Sequence, residues 1–412
     1  MQFEEVKEFL ESLKSFERMS NYKYDSEEFD LMKLKRVFEV LKFDLSKVVV
    51  VEVVGSKGKT TVSGLMAFYL QQKNYKVGVF SSPALIDVCD LVVINGEKIG
   101  VEDFSRLAGE LRLIIDRNSL KLTYFEFLLT LALAFFLEAG VDYIILEAGM
   151  GGKLDAINSL DADLTMLTRV EKEHTTYLGN TYQEILGHKL GVKREGKPMI
   201  VGIQLDEVLS LIKSRKDFDE FVFVQDDQVL LKRISVLNQG CERDRAFLEN
   251  LALVAAGARN IFGQINEDIL LKGLEKYYVP GRYDQKIING KQFVFDVAHT
   301  VFSAKNLVDA LKRDFPGKKF YFLVALMKDK AIVEILSILK PLAKEIVFTH
   351  VNGERGSLAH DYGSGVFFEN VSEALEFFQS IKPGHDESVD DQVFVVTGSN
   401  YLVGSVFKLI ST

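Results

Sequence analysis

The chain has 412 residues, of which 47% are hydrophobic and 26% charged, a balance typical of a globular protein with more than one core. Its net charge of −9 and its lack of a basic stripe argue against nucleic-acid binding. The only two cysteines, Cys89 and Cys241, exclude a disulfide framework and indicate a reducing, cytoplasmic compartment.

Residues 1 to about 45 have the spacing of two amphipathic helices. The acidic first ten residues are unlike a signal peptide. The longest apolar run, Phe127–Leu137, is bounded by Glu126 and Glu138 and, at 11 residues, is too short to span a bilayer. We therefore expect no association with a membrane.

The pattern of a phosphate-binding loop follows these helices. Val48–Val54 is a mostly β-branched run that predicts a buried parallel strand, and the residues from Val62 onward have helical spacing. The usual pattern has a further glycine where this chain has Val53. An ordinary tight turn between strand and helix is the alternative interpretation. The residues between strand and helix are Gly55-Ser56-Lys57-Gly58-Lys59-Thr60-Thr61.

The chemistry of this loop suits the phosphates of ATP or GTP. Gly55 and Gly58 allow the backbone to turn its N–H groups toward an anion, and the following helix adds the dipole of its N-terminus. Lys59 can reach the β- and γ-phosphates, and Thr60 can offer its hydroxyl to Mg²⁺. The loop therefore predicts a nucleotide site.

Strands and helices alternate through the rest of this half, which predicts an α/β fold with a parallel sheet flanked by helices. Ligands bind at the carboxyl ends of the strands in such sheets. Ser82 and Glu147 follow two of those ends, so we expect them to converge on the phosphate loop. The predicted strands are Lys76–Phe80, Leu91–Ile94, Asp142–Glu147, Asp163–Leu167 and Pro198–Gly202, and the predicted helices cover 102–117, 124–138 and 181–191.

A Pro-Gly break within Tyr278–Arg282 precedes a second series of strands and helices. We place the domain boundary between 284 and 285, with a smaller Rossmann-like α/β domain over 285–412. The polar stretch Asn352–Gly365 is predicted to be a mobile loop. The predicted strands are Phe293–Asp296, Phe320–Ala325, Glu345–Phe348 and Val393–Val396, and the helices cover 302–313, 330–340, 371–380 and 401–410.

Three residues outside the loop have two interpretations each. Glu147 could hold Mg²⁺ at the end of its strand, or it could cap the next turn. His174 is a lone histidine, a residue type that is more often structural or solvated than a ligand. Lys189 lies in a predicted helix, where a solvated lysine is the default. None of them is decisive alone.

Further motifs occur in order along nearly the whole chain, and with the phosphate loop they resemble the signatures of the folylpolyglutamate synthase/dihydrofolate synthase branch of the Mur ligase family. In the N-terminal half they are Thr123–Thr130, the turn Glu147-Ala-Gly-Met-Gly-Gly-Lys-Leu-Asp-Ala-Ile-Asn158, His174 with Leu178-Gly179, and His188–Lys193. In the C-terminal half they are Pro280-Gly281-Arg282, Asp296-Val-Ala-His299, Lys328-Asp329-Lys330 and Gly398–Gly404.

The resemblance implies ATP as the nucleotide and two Mg²⁺ ions. Thr60 and Glu147 would bind one ion, and Ser82, Glu147 and His174 would bind the second. The ATP phosphates would be held by Lys59 and the backbone of the loop, that is by Gly55, Ser56, Lys57, Gly58, Thr60 and Thr61.

It also implies roles for residues farther along the chain. Lys189 would be carbamylated, which would turn an ammonium group into an oxygen anion that a hard cation accepts. Lys59, Lys189 and His174 are the expected catalytic residues. The remaining nucleotide contacts would come from Asn250 and Arg282, and from Asp296 and His299 in a second domain that closes about residues 279–285.

The implied reaction is an ATP-dependent ligation. ATP would phosphorylate the carboxylate of a folate or of dihydropteroate, and the amino group of L-glutamate would displace phosphate to form an amide. The expected partners are these small molecules only, with no nucleic acid and no membrane. The chain is expected to act as a monomer.

Several residues depart from the folate-branch pattern on the loops expected to line the acceptor. Thr60-Thr61 replaces Gly-Ser, Ala84 replaces a histidine, and Asp90-Leu91-Val92 replaces Glu-Arg-Ile. A Mur-like ligase acting on another carboxylate, and a nucleotide-binding protein without turnover, therefore stay open. A mere nucleotide binder would not need the predicted set Ser82, Glu147, His174 and Lys189. Two further departures are Lys153 for arginine and Ile157 for threonine.

Overall fold

The computed structural model describes residues 1–15, 24–25, 29–217, 220–241, 243–351, 356–382 and 391–411. The chain forms two compact units, Met1–Pro83 with Val88–Tyr277, and Ala84–Asp87 with Tyr278–Thr412. Each unit has a mostly parallel sheet covered by helices, which confirms the predicted α/β class.

The first unit contains eight strands: β1 Val49–Val54, β2 Val77–Phe80, β3 Val92–Ile94, β4 Glu97–Lys98, β5 Tyr143–Glu147, β6 Leu164–Leu167, β7 Met199–Val201 and β8 Phe221–Phe223. They form one sheet in the order β4-β3-β2-β5-β1-β6-β7-β8. The pairs from β2 to β8 are parallel, whereas β3 pairs antiparallel with both β2 and β4. The central strands are apolar on both faces because helices cover both sides of the sheet.

The helices of this unit include all those predicted from the sequence. No element was predicted between 203 and 277, where the described residues form four α-helices and one strand, β8, which adds the last strand to the sheet. Within the described ranges, every helix is too short or too polar to cross a bilayer. The helices are α1 Phe3–Ser12, α2 Leu31–Leu41, α3 Lys59–Gln71, α4 Val101–Arg117, α5 Tyr124–Ala139, α6 Thr175–Leu178, α7 Tyr182–Leu190, α8 Asp206–Lys213, α9 Gln228–Leu237, α10 Arg245–Phe262 and α11 Glu267–Lys276.

The second unit is a six-stranded sheet with helices on its faces. Its strands are β9 Asp284–Ile288, β10 Lys291–Asp296, β11 Lys319–Val324, β12 Ala343–Thr349, β13 Val366–Phe368 and β14 Gln392–Thr397. The strand order is β13-β12-β11-β14-β10-β9, and only the edge strand β9 is antiparallel to its neighbour among the described pairs. Its helices are α12 Val301–Asp314, α13 Ile332–Leu339, α14 Ala359–Tyr362, α15 Val371–Ser380 and α16 Asn400–Ser411.

The structure divides the chain differently from the predicted boundary at 284/285. The second unit begins at Tyr278 and also includes Ala84–Asp87. The reason lies in the Pro-Gly turn itself, because the carbonyl of Gly281 accepts a hydrogen bond from the Val297 amide at 3.0 Å. This turn is therefore part of the second unit.

The stretch Asn352–Gly365 is not wholly a loop. Residues 352–355 lie outside the described residues, but Ala359–Tyr362 forms α14. Tyr362 is buried, stacks on Phe348 at 4.5 Å and accepts a hydrogen bond from the Leu326 amide at 2.8 Å. The tyrosine anchors the second half of the stretch, so the prediction of a mobile loop is wrong there.

A buried carboxyl lies in the middle of the first sheet. Glu52 on β1 is fully buried, and Arg194 approaches its Oε1 at 3.5 Å. The same guanidinium donates to the carbonyls of Asn158 at 3.2 Å and Leu160 at 2.5 Å. Burial raises the pKa of Glu52 to about 8, against the opposing charge of Arg194. Glu52 is therefore largely protonated at neutral pH.

This pKa gives a testable pH dependence of stability. Between about pH 4.5 and about pH 8, the native protein keeps the Glu52 proton while the unfolded chain releases it, so the free energy of unfolding falls as pH rises. Relative to Glu52→Gln, the wild type should lose up to about 1.4 kcal/mol per pH unit across this window. Urea unfolding at a series of pH values measures the difference. The exposed Glu97→Gln is the control, and parallel curves for wild type and Glu52→Gln would contradict the assignment.

Candidate active site at the carboxyl edge of the first sheet

The site is built on the register of four neighbouring parallel strands. Val53 of β1 pairs with Glu147 of β5, and Phe80 of β2 pairs with Leu146 of β5. On the other side, Val54 pairs with Leu167 of β6. Because all four strands end at the same edge, the loops that follow them lie side by side. The register therefore brings together the loop after β1, Ser82 after β2, Glu147 at the end of β5 and the segment after β6.

Two glycines give the loop after β1 its shape. Gly55 has φ +142° and Gly58 has φ +89°, values that side chains disfavour. A methyl group on Gly55 would lie 2.0 Å from Thr168 Oγ1, and one on Gly58 would lie 2.3 Å from Asn250 Oδ1. The loop is thus closely covered by β6 and α10. Asn250, expected to contact the nucleotide, lies directly against Gly58.

The backbone amides of the loop fall into two groups. Those of Ser56 and Lys57 donate to the carbonyl of Arg169 at 2.9 and 3.1 Å, and the Ser56 hydroxyl donates to the Glu171 carbonyl at 2.9 Å. These bonds hold the loop against the segment after β6. A phosphate would then be bound by the amides at the start of α3, Lys59 to Thr61, where the helix dipole is also favourable.

Thr60 and Glu147 form the pair expected for a divalent cation. The Thr60 hydroxyl donates to Glu147 Oε1 at 3.0 Å, and Glu147 is 1% exposed. A hydroxyl and a carboxylate beside a helix N-terminus are oxygen ligands of the kind that Mg²⁺ binds together with nucleotide phosphates. The donor set therefore fits the implied metal and nucleotide.

Lys189 lies deep beneath the loop. Its Nζ donates to the carbonyl of Gly55 at 2.7 Å and pairs with Glu173 at 3.2 Å. Burial lowers the pKa of Lys189 to about 8, although the charge of Glu173 opposes the shift. The solvated lysine considered as the default from the sequence is therefore wrong, because Lys189 is 1% exposed.

The carboxylate of Glu173 offsets the positive charge of several lysines at once. It contacts Lys57 at 3.5 Å as well as Lys189. Burial alone would raise the pKa of Glu173, but the charges of Lys189, Lys59 and Lys57 outweigh burial and hold that pKa below its usual range. Lys59 itself donates to the Gly55 carbonyl at 3.3 Å. One carboxylate thus keeps three lysines close together where a polyphosphate would bring negative charge.

The structure supports the predicted second metal site less fully than the Thr60–Glu147 pair. Ser82 is 9% exposed at the end of β2, and His174 is exposed, with φ +48° at the start of α6. Among the described residues, no three His, Cys, Asp or Glu side chains form a metal-binding group. The site needs only Ser82, Glu147 and His174, so it stays a prediction.

Three predicted nucleotide contacts belong to the second unit. Asp296 accepts from the amides of Tyr283 and Ala298, both at 2.8 Å. His299 Nδ1 lies 2.8 Å from the Val297 carbonyl. Arg282 precedes Tyr283 in the chain, so the end of β10 holds Arg282, Asp296 and His299 around one turn. Their contact with a nucleotide stays a prediction.

Sequence reasoning missed three residues of this region. Besides Glu173, these are Tyr277, whose Oη would lie 1.7 Å from a methyl group on Gly64 of α3, and Asp155. Burial, followed by the charge of Glu147, raises the pKa of Tyr277. Asp155 accepts from the amides of Met150 and Ile157 at 2.9 and 3.2 Å, and burial raises the pKa of Asp155 to about 6. Asp155 belongs to the turn Glu147–Asn158, and this motif was the sequence signal that pointed to it.

Comparison with known proteins decides the family. The Mur ligase middle domain matches residues 53–217, and the Mur ligase glutamate ligase domain matches residues 281–400. Dihydrofolate synthase/folylpolyglutamate synthase of Escherichia coli (strain K12) is 30% identical over 380 residues, which cover 87% of this chain and 86% of the relative. The chain belongs to the dihydrofolate synthase/folylpolyglutamate synthase family. As a member of this family, it is an ATP-dependent ligase.

Solved structures of the dihydrofolate synthase/folylpolyglutamate synthase family agree with this assignment. The bifunctional enzyme from Yersinia pestis, complexed with AMPPNP and Mn, has a TM-score of 0.81 at 25% identity and covers 100% of this chain and 98% of its own. Another bifunctional folylpolyglutamate synthase/dihydrofolate synthase, with the same TM-score, identity and coverage, has Mn, AMPPNP and L-glutamate bound. The predicted use of ATP and a divalent metal is confirmed at the level of the family.

The fit between Gly58 and Asn250 can be tested directly. Gly58→Ala should weaken binding of AMPPNP by at least about tenfold, or about 1.4 kcal/mol, because the methyl group displaces Asn250 and the loop. Gly96→Ala is the matched control, since Gly96 has φ +85° but no atom within 4 Å of an added methyl group. Both variants share the strain of a positive φ, and Gly58→Ala should lose more stability in thermal unfolding because of its clash, so the affinities are compared at a temperature where both are folded. Equal AMPPNP affinities in calorimetric titrations would contradict the prediction.

Proposed function

We propose that this ligase joins the carboxylate of dihydropteroate or of a reduced folate to the amino group of L-glutamate. The observation that carries the proposal is the Thr60–Glu147 pair beside Lys59 at the N-terminus of α3. This arrangement suits transfer of a γ-phosphoryl group. The E. coli relative, named for both reactions, and the structure with bound L-glutamate support the choice of substrates.

Different residues of the chain have different roles in the reaction. The amides that begin α3 and the Lys59 ammonium hold the ATP phosphates and offset charge on the transferring group. The carboxylate oxygen of the acceptor attacks phosphorus, the bond to the β-phosphate bridging oxygen breaks, and ADP leaves. Mg²⁺, bound by Thr60 and Glu147, would neutralise charge on the phosphates during this transfer. The glutamate nitrogen then attacks the acyl carbon, and phosphate leaves with the amine proton lost to solvent.

We propose further that Lys189 works as a carbamate. CO₂ reacts only with a neutral amine, and a pKa of about 8 leaves a substantial neutral fraction at physiological pH. The neutral nitrogen bonds to the carbon of CO₂ and loses one proton to solvent, so the product carries a carboxylate with two oxygens beside the site that would take a divalent metal. The contact with Glu173 would then have to be exchanged for a contact with the metal or another cation.

One observation favours a changed acceptor pocket. Leu91, which replaces an arginine of the folate-branch pattern, is 3% exposed and packs in the core. Ala84 belongs to the second unit. Neither side chain offers the charge-assisted hydrogen bonds that an imidazole or a guanidinium can donate. Ligation of a different carboxylate is therefore the second candidate function. Action as a monomer and a cytoplasmic location stay predictions.

An acceptor panel tests the proposal. With L-glutamate and ATP, dihydropteroate or tetrahydrofolate should support steady-state ADP formation, and omission of either the acceptor or glutamate should abolish ADP formation beyond a single turnover. Losing one charge-assisted contact raises the Michaelis constant of the pterin substrate by about one to two decades, whereas that of ATP stays ordinary. Lys59→Ala, as the control, should lower turnover by at least about 100-fold in a folded protein. No ADP formation with either pterin at millimolar concentration would assign the second candidate function instead.

The carbamate has its own test. In ¹³C-bicarbonate, the wild type should show a carbamate carbonyl signal, and Lys189→Ala should be partly reactivated by acetate, which supplies a carboxylate to the space. Lys189→Arg keeps the positive charge but cannot form the carbamate, so it should be inactive. An active Lys189→Arg variant, or a wild type without the carbamate signal in the presence of Mg²⁺ and ATP, would refute this role.

A further inference from the structure

A four-residue segment, Ala84–Asp87, leaves the first unit and joins the second. It lies between β2 and β3, two strands that pair with each other in the first sheet. Leu85 and Ile86 pack against the hydrophobic cluster of the second unit that includes Val403 and Phe407 of α16. We call Ala84–Asp87 the strap.

Gly404 of the second unit leaves room for the backbone of Leu85. A methyl group on Gly404, in the middle of α16, would lie 1.7 Å from the Leu85 carbonyl oxygen. Glycine in a helix interior is less stable than alanine, so the close approach of the strap backbone explains its presence at this position. At Gly281, a methyl group would lie 3.4 Å from both Leu85 δ carbons. Only the Leu85 backbone thus requires a glycine, at position 404, whereas 3.4 Å from Gly281 is an ordinary van der Waals distance.

The strap lies close in the chain to a predicted metal ligand. Ser82 precedes it by only Pro83, and two residues span at most about 7 Å. The base of this excursion is held in the first unit, where the Ser81 amide donates to the Leu91 carbonyl at 3.1 Å. If the strap moves, the backbone must therefore change conformation at Ser82 and Pro83 on one side, and at the residues from Val88 on the other.

We propose that Leu85 is a positioning residue that ties the second unit to Ser82. Motion of the second unit then moves the strap, and the strap sets the place of the Ser82 hydroxyl. Leu85 itself touches neither substrate nor nucleotide in this account. The inference rests on the proposed function to the extent that Ser82 is a metal ligand, and it adds a mechanical link between that ligand and the second unit.

Two opposite changes should break the link. Leu85→Ala removes the side chain that packs in the second unit, whereas Gly404→Ala pushes on the strap backbone and leaves Leu85 intact. Both should lower kcat by about 10- to 100-fold, the effect expected when a reacting group is misplaced by about 1 Å, and both should raise the Mg²⁺ concentration for half-maximal rate. The affinity for AMPPNP measured without acceptor should not change.

A matched control separates positioning from stability. Phe378→Leu disturbs the same hydrophobic cluster, but the Phe378 ring packs against Phe293 and Phe394 rather than the strap. This variant should lower the unfolding temperature as Leu85→Ala does and keep the wild-type kcat and Mg²⁺ dependence. If Leu85→Ala and Gly404→Ala match Phe378→Leu in both kinetic quantities, the strap is only structural and the proposal is overturned.

Coupling through Ser82 is tested by a double-variant cycle. In a Ser82→Ala background, Leu85→Ala should lower kcat no further, because the group that it positions is already absent. Additive losses would overturn the proposal.

Hydrogen exchange tests the link between the strap and the metal site without measuring the reaction. Mg²⁺ and AMPPNP should alter amide exchange across residues 81–91 of the wild type, and this change should be absent in Leu85→Ala and Gly404→Ala. An unchanged ligand response in the variants, or none in the wild type, would contradict the link. A wild type that shows the response but forms no glutamate conjugate would disprove the proposed function alone.

Discussion

The parallel register of β2, β5, β1 and β6 is the constraint on which the site depends. Pairing of Val53 with Glu147 places the carboxylate beside the start of the phosphate loop, and the Thr60 hydroxyl then reaches it at 3.0 Å. A shift of one residue would turn Glu147 to the other face of the sheet. Buried apolar residues on both faces of these strands oppose such a shift, so the core fixes the geometry of the metal site.

Charge compensation is the second requirement of this site. Lys57, Lys59 and Lys189 act on one carboxylate, Glu173, and Lys189 is buried without access to water. Three ammonium groups so close together would repel one another, and Glu173 offsets that repulsion until phosphates arrive. The same cluster would prepare Lys189 for the proposed carbamylation, since burial favours its neutral form. Stabilisation of the lysine cluster and the proposed reactivity of Lys189 would thus depend on the same residues.

The sequence predicted those features that local patterns encode. The glycine loop, the strand ending on Glu147 and the two α/β series follow from short-range periodicity and motif order. Glu173 could not be ranked above other carboxylates, because its lysine partners at 57 and 189 are distant in the chain. Tyr277 and the strap depend likewise on tertiary contacts, and chain order assigned Ala84–Asp87 to the wrong unit. α10 was missed although its apolar residues have helical spacing.

The proposed reaction requires that a carboxylate be activated as an acyl phosphate. A single turnover with an acceptor whose reactive carboxylate is labelled with ¹⁸O, in the presence of ATP, Mg²⁺ and L-glutamate, tests this step directly. Each released phosphate should carry one ¹⁸O from the acceptor, because the acyl C–O bond breaks when glutamate attacks. Phosphate without ¹⁸O, released at the rate of ADP formation, would mean that water receives the phosphoryl group and that no acyl phosphate forms.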